Sequence, residues 1–415
     1  MTISPARCAA QSQCGACSLL SLPYDEQLAR KGRFIEELFS DICPAAEFHE
    51  VLGMDEPFHY RNKVTSPYVL GPSRKGAVKR SAKRAKRGGS PSREILCGMY
   101  AAHSHRVIDT RECLIENETA KKVVQAIRRL MGRYAIEPYD EDAHSGFMRH
   151  AVVRVGHETG EVLVTLVTNG AEFPGSRNFC RELVKMVPSV TTVVQNVNTR
   201  QTNVILGEEE KTLYGPGFIL DTLCGLSFRI SSRSFYQVNA TQTEVLYRQA
   251  LRMARFTGTE TALDAYCGTG TIGLVAARGL PECPEAHARA VVGVDSVASA
   301  IRDARENARH NGVENATFEV GDAGAFMASR AQEGQALDVL LMDPPRAGST
   351  EEFLSAAVSM APSRIVYISC NPRTQARDVS YLVDRGYQVT EVQPVDMFPH
   401  TDHIECICAL ERCSS

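Results

Sequence analysis

From Thr261 toward the C-terminus, short apolar runs alternate with amphipathic stretches. TALDAY predicts a buried strand, and GTGTIG opens a helix running to about Arg278. AVVGVD predicts the next strand, followed by a helix over SVASAIRDARENARHNG that Gly312 ends. Glycine just past the last periodic residue is a common helix stop, because it takes a left-handed backbone without a Cβ penalty. ATFEVGD, a helix near residues 324–331, DVLLMDPP, RIVYIS and a helix from about Arg373 continue the alternation. Strands alternating with helices imply a parallel, doubly wound α/β sheet of Rossmann type. YQVTEVQPV and IECICALER have no helix between them and are expected to pair antiparallel at the sheet edge.

Upstream the pattern changes. LPYDEQLARKGRFIEELFSDI has the period of an amphipathic helix. FHYRNKVTSPYVL, REILCGMYAA, RHAVVRVG, EVLVTLVTN and TTVVQNVNT predict strands of a smaller β-rich (α+β) domain. The boundary is expected near residues 223–234, giving domains over 1–230 and 231–415. The stretch GPSRKGAVKRSAKRAKRGGSPS has too little apolar content for a core and is expected as a disordered loop joining two paired strands.

Composition narrows the class. Of 415 residues, 43% are hydrophobic and 23% charged, which suits a soluble protein with large cores. No apolar run approaches the length of a membrane span, and the N-terminus lacks the apolar stretch of a secretion signal, so a cytoplasmic location is expected. The net charge is −3, yet residues 74–93 hold nine Lys or Arg and no acid, leaving −12 on the rest. Such a basic segment on an acidic chain points to a polyanion partner, either through phosphate contacts or as a plain solvated loop. Tyr60, Arg61, Asn62 and Lys63 place an aromatic among cations and form a second candidate RNA contact.

The candidate chemistry lies at strand ends. Gly268, Gly270 and Gly273 form G-x-G-x-x-G between a strand and a helix, and Asp295 ends the following strand. This arrangement suits a nucleotide-like cofactor, with the acid on a ribose, and by itself fits NAD oxidoreductases and S-adenosylmethionine methyltransferases equally. Asp343-Pro344-Pro345-Arg346, at the end of the fourth strand, favours the methyltransferase because hydride transfer has no use for it. Cys370 closes the next strand just before a helix N-terminus, where the dipole is expected to lower its pKa.

Together YCGTGTIGL, DPPRAG, SCNP, PHTDHIECICALER and SFYQVNATQTEVLY resemble the RNA uridine C5-methyltransferases, the bacterial enzymes that make 5-methyluridine in 23S ribosomal RNA or tRNA. The resemblance spans residues 234–412. It implies a Rossmann-like class I S-adenosylmethionine methyltransferase domain preceded by a β-rich domain carrying an iron–sulfur cluster. It also implies Cys370 as nucleophile and Glu405 as general base. Gln237, Tyr266, Gly268, Thr271, Asp295, Asp322 and Asp343 would surround S-adenosylmethionine, with Asp322 near the adenine and Asp343 also able to hold the uracil edge. Phe235 would stack on the extruded base.

Fourteen cysteines are many for a chain expected to keep its thiols reduced. Cys8, Cys14 and Cys17 have a spacing that suits zinc or an iron–sulfur cluster but need a fourth ligand. Resemblance to the ribosomal branch supplies Cys113 for a [4Fe–4S] cluster, with Cys97 as competitor. That branch favours 23S rRNA over tRNA, although many of its members carry an extra N-terminal RNA-binding domain, whereas the sequence here begins almost at the first of these cysteines. His400, His403, Cys406 and Cys408 imitate a zinc motif, but strand alternation sets the two cysteines on the face opposite Glu405. No membrane or obligate protein partner is expected. The readings from other classes are an NAD-dependent oxidoreductase, which leaves SCNP and Glu405 unused, and a non-catalytic RNA-binding protein.

Overall fold

A computed structural model describes residues 6–71 and 94–413. The chain folds as two compact units, residues 7–17 with 59–219, and residues 18–58 with 220 onward. The chain order is therefore not the simple division at residue 230 expected above. A short helix α1 (Gln11–Cys14) belongs to the first unit, whereas α2 (Tyr24–Phe39) and strand β1 (Glu47–Phe48) belong to the second. The candidate basic loop lies outside the described residues.

The first unit is built on a seven-stranded sheet. Its strands are β2 (Lys63–Leu70), β3 (Ile95–Tyr100), β4 (Val107–Asp109), β5 (Met148–Val155), β6 (Val162–Thr168), β7 (Val190–Val197) and β8 (Glu209–Tyr214), in the order β4-β3-β2-β5-β6-β7-β8. Leu70 pairs with Ile95, so the basic stretch does join two antiparallel neighbours. Helices α3 (Glu118–Tyr134) and α4 (Ser176–Met186) supply apolar faces to this unit's core. In α3 the buried positions Ala120, Val123, Val124, Ile127, Leu130 and Met131 follow the helical period, and Asn117 caps the first turn by accepting from the N–H groups of Thr119 and Ala120.

In the second unit, β9 (Phe218–Leu223) and β10 (Leu226–Ser231) form a ribbon leading to α5 (Ala240–Ala254). Then come β11 (Thr261–Ala265), α6 (Thr271–Arg278), β12 (Ala290–Asp295), α7 (Ala298–His310), β13 (Ala316–Val320), α8 (Ala323–Gln332) and β14 (Val339–Met342). α9 (Glu351–Met360), β15 (Arg364–Ser369), α10 (Pro372–Val383), β16 (Tyr387–Val395) and β17 (Glu405–Arg412) complete it. The sheet order is β1-β16-β17-β15-β14-β11-β12-β13. Strands β11 to β15 are parallel, as their continuous apolar runs predict. β16 and β17 pair antiparallel as expected, but the edge is β1, which pairs with β16.

The N-terminal segment joins this unit for a physical reason. Ile35, Phe39 and Cys43 share one core with Leu340, Tyr367, Cys406 and Cys408. In addition, buried Lys31 pairs with Asp396 at 2.7 Å, and the Tyr24 hydroxyl donates to the same carboxylate at 2.8 Å. α2 thereby anchors the loop that delivers Glu405.

Candidate active site

The strand order reverses at β11, which has β12 on one side and β14 on the other. Ligands of open α/β sheets bind outside the carboxyl ends of the strands at such a switch. The sequence candidates of this unit gather along that edge. Tyr266 to Thr271 follow β11, Asp295 ends β12, Asp322 follows β13, Asp343 follows β14 and Cys370 follows β15.

The glycine turn has the shape of a cradle. Gly270 has φ of 78°, and a Cβ there would lie 2.7 Å from the Phe318 ring. At Gly273 a Cβ would come within 2.6 Å of an Asp264 oxygen, which instead accepts from the Gly273 N–H at 3.0 Å. A Cβ at Gly268 would meet nothing within 4 Å, so that backbone face is open to a ligand. Asp295 is oriented by two N–H donors, Gly268 at 3.0 Å and Val297 at 2.8 Å. The Thr271 hydroxyl lies 2.7 Å from the Tyr247 hydroxyl. Tyr266 sits in the left-handed region with its ring against Phe353. Gln237 is half-buried in the segment entering α5, and Asp322 uses one oxygen to cap α8 through the Ala325 N–H.

β15 and β17 place Cys370 and Glu405 together. Their antiparallel register runs from Arg364 opposite Glu411 to Ser369 opposite Cys406. Continuing it by one residue sets Cys370 opposite Glu405, and directly opposed residues send their side chains to the same face. Cys406 and Cys408 point the other way into the core beside Cys43, as alternation predicts. Cys370 is half-exposed, whereas Glu405 is 3% exposed.

The electrostatics of this edge are acidic. Burial, with Asp343 adding to it, pushes the Glu405 carboxyl well above the usual carboxylate range, against the opposing pull of Arg346. Burial also raises Asp343. Burial pushes Asp264 up to about 8, with Asp343 and Asp295 adding and the Gly273 N–H opposing. The Cys370 thiol is raised too, by burial and then by Glu405 and Asp343. This corrects the expectation of a thiol lowered by the helix dipole. The groups around the sulfur outweigh a dipole that falls off within one turn.

Arg346 is the counterweight that sequence reasoning left without a role. Its side chain hydrogen-bonds the Cys370 thiol and favours the thiolate. The Asn371 amide donates to the Arg346 carbonyl at 2.9 Å, and the Thr374 hydroxyl donates to it at 3.2 Å. The Ser349 N–H and the Tyr367 hydroxyl both donate to Asp378, fixing the rest of the same loop against α10. The adjacency of D-P-P-R to S-C-N-P across neighbouring strands was the available signal. Tyr247 and Asp264 were also missed, because they act through contacts rather than through a motif.

In the other unit, burial pushes the Cys17 thiol up to about 12, and Cys113, Cys14 and Cys8 add to the rise in that order. Cys8, Cys14 and Cys113 thus lie within electrostatic reach of Cys17. Cys97 instead lies buried beneath α3 with its sulfur accepting from Gln125 at 3.3 Å. Among the described residues no three His, Cys, Asp or Glu side chains converge to hold a single metal ion. His400 is buried and stacked on Phe58 at 4.8 Å, while Cys406 and Cys408 are core residues. Tyr60 is 8% exposed, so it does not present its ring to a base, and burial lowers Lys63 to about 8. Phe235, in contrast, is 68% exposed.

Comparison with known proteins decides the family. A methyltransferase domain family matches residues 257–385. An uncharacterized RNA methyltransferase of Halalkalibacterium halodurans is 42% identical over 408 residues, covering 98% of this chain and 83% of that protein. This chain belongs to the RNA methyltransferase family. An uncharacterized RNA methyltransferase of Listeria monocytogenes is 43% identical over 404 residues, covering 97% of this chain and 83% of that one. A solved structure, the tRNA (uracil-54, C5)-methyltransferase of Pyrococcus abyssi in complex with S-adenosyl-L-homocysteine, superposes with a TM-score of 0.74 at 27% identity. It covers 95% of this chain and 85% of that one. The RNA methyltransferase fold is therefore the α/β fold expected, and S-adenosylmethionine is its methyl donor. Among the described residues no helix is long and apolar enough to cross a membrane.

Proposed function

We propose that this RNA methyltransferase transfers a methyl group to C5 of a uridine in 23S ribosomal RNA through a covalent bond between Cys370 and C6 of the base. The observation that carries the reading is the register of β15 and β17, which sets a half-exposed thiol opposite a buried carboxyl at the ligand edge of the sheet. Uracil C5 is a weak nucleophile. A Cys370 thiolate adding to C6 turns the ring into an enolate whose C5 can take the methyl group. Glu405 then removes the C5 proton, and the electron pair released expels the cysteine sulfur.

S-adenosylmethionine supplies the methyl group on a sulfonium cation when bound. The open face of Gly268 and the oriented Asp295 fit such a ligand, with Tyr266, Thr271, Gln237 and Asp322 around it. Asp343, Asp264 and Glu405 form an acidic surround suited to a cation. A positive charge bound near Glu405 would favour its ionised form. Once methyl transfer has removed the charge, Glu405 becomes the stronger base just as the C5 proton must leave. Exposed Phe235 would stack on the target base.

Cys8, Cys14, Cys17 and Cys113 are the ligands we assign to a [4Fe–4S] cluster. Their spacing supports it, as does the influence of Cys113, Cys14 and Cys8 on the Cys17 thiol. The cluster would hold α1 against its unit as a structural staple. It also supports the ribosomal target, because of the branch that the cysteine spacing resembles.

The likeness to the Pyrococcus abyssi enzyme favours tRNA as a second reading. Mapping 5-methyluridine in total RNA after deletion of the gene separates the two. Loss of a 23S rRNA uridine methyl is expected, loss from tRNA alone would establish the second reading, and no loss from either would reject both.

A further inference from the structure

The first unit carries a groove that the proposed chemistry does not use. It is about 560 Å³ and runs between α3 and the turn after α4. On α3, Glu118, Lys122, Gln125 and Arg129 form one stripe at helical spacing, and Met186, Val187 and Pro188 make the facing wall. The charge balance is positive. Glu118 is engaged by Lys121 at 2.8 Å, and Arg111 by Asp109 at 2.6 Å. Lys122 and Arg129 are exposed and make no ion pair among the described residues.

We infer that this groove docks the phosphate backbone of the RNA substrate, with Lys122 and Arg129 on successive phosphates and the exposed Met186 against a sugar or base. Lys122 and Arg129 are seven residues apart, about 10 Å along the helix axis. Two cations spread over that length match an extended polyanion better than one isolated phosphate. Apolar side chains facing a cationic stripe suit a single strand, whose sugars and base faces come with its charge. The inference rests on RNA as the substrate and deepens that reading. It does not depend on the uridine chemistry.

The test uses the full chain and unmodified, in vitro-transcribed 23S rRNA, with affinity measured over a range of KCl concentrations. Lys122→Glu with Arg129→Glu is expected to weaken binding about tenfold near 0.1 M salt and to reduce the slope of log K against log salt by about 1.4. Lys122→Gln with Arg129→Gln should give the same slope change with a smaller loss. Binding of S-adenosyl-L-homocysteine should stay as in the wild type. The same reversal at exposed Arg177 and Arg181, on α4 and outside the groove, should leave the slope unchanged. Wild-type affinity and slope in both groove variants would overturn the proposal, and so would an equal loss in the α4 variant. If the wild type binds this RNA but methylates no uridine in it, the ribosomal reading fails while the groove is still judged by its slope.

Discussion

Cys370 and Cys17 are both half-buried thiols whose ionisation is opposed, but by different neighbours. Cys370 is opposed by burial and by carboxylates, and one guanidinium pulls the other way. Cys17 is opposed by burial and by three more thiols, with only a weak pull from Arg61. A thiol beside carboxylates is relieved when a cation enters, and it then attacks. Thiols that oppose one another's ionisation are relieved when their protons are exchanged for metal charge. On the proposed reading one element does chemistry in one unit and holds structure in the other, and the surrounding charges make the difference.

The comparison breaks most sharply at the nucleophile. Cys370→Ala should lower methyl transfer by more than about 10⁴-fold, read as tritium-labelled methyl incorporated into RNA, because removal of a nucleophile leaves only binding and orientation. Full activity would remove the covalent mechanism. Glu405→Gln should leave addition and methylation intact but slow elimination by about 10²–10⁴-fold, the usual contribution of a positioned base. The expected observation is a protein–RNA adduct that survives denaturing electrophoresis. An active variant with no adduct would assign the proton to another group.

Arg346→Gln sharpens the electrostatic half of the comparison. Arg346 favours the thiolate, so its loss raises the Cys370 pKa further. The rate of adduct formation rises with pH as the thiol ionises, and in the variant that limb should move to higher pH. A hydrogen bond to a charged group is worth about 1.5–3 kcal/mol, so the rate at neutral pH should fall about 10- to 100-fold. An unmoved limb would mean that the bound substrate, not Arg346, ionises the thiol.

The second unit's sheet was legible in the sequence because parallel strands covered on both faces read as apolar runs, each stopped by Gly, Asp or Pro. The juxtaposition of Cys370 and Glu405 was legible because they sit at adjoining ends of the strands bearing SCNP and IECICALER. What escaped was long-range. No local signal in LPYDEQLARKGRFIEELFSDI says that Ile35 and Phe39 pack against strands three hundred residues away. Helix α3 was missed although Asn117 and its apolar period mark it, because the strands around it dominated the reading. Tyr60 has an exposed-looking neighbourhood of Arg61, Asn62 and Lys63, yet its ring is buried. The direction of the Cys370 shift depends on Asp343 and Glu405, which come near only through the sheet order.

The smallest effect on rate is expected at the other thiol site. Cys17→Ser removes the member that feels the other three, so iron bound after anaerobic reconstitution should be lost together with its visible absorbance. Coordination needs deprotonated ligands, so wild-type iron retention should fall as the pH is lowered. Methyl transfer at low temperature should decline only severalfold, since Cys370 and Glu405 lie in the other unit. The melting temperature should drop, because α1 is then held by little else: its own four residues are not buried. Cys97→Ser serves as the contrast and should keep iron, since that sulfur packs beneath α3 and contacts Gln125. Iron retained by Cys17→Ser and lost by Cys97→Ser would exchange the fourth ligand. Stoichiometric zinc in place of iron would leave the four-thiol site a structural ion centre.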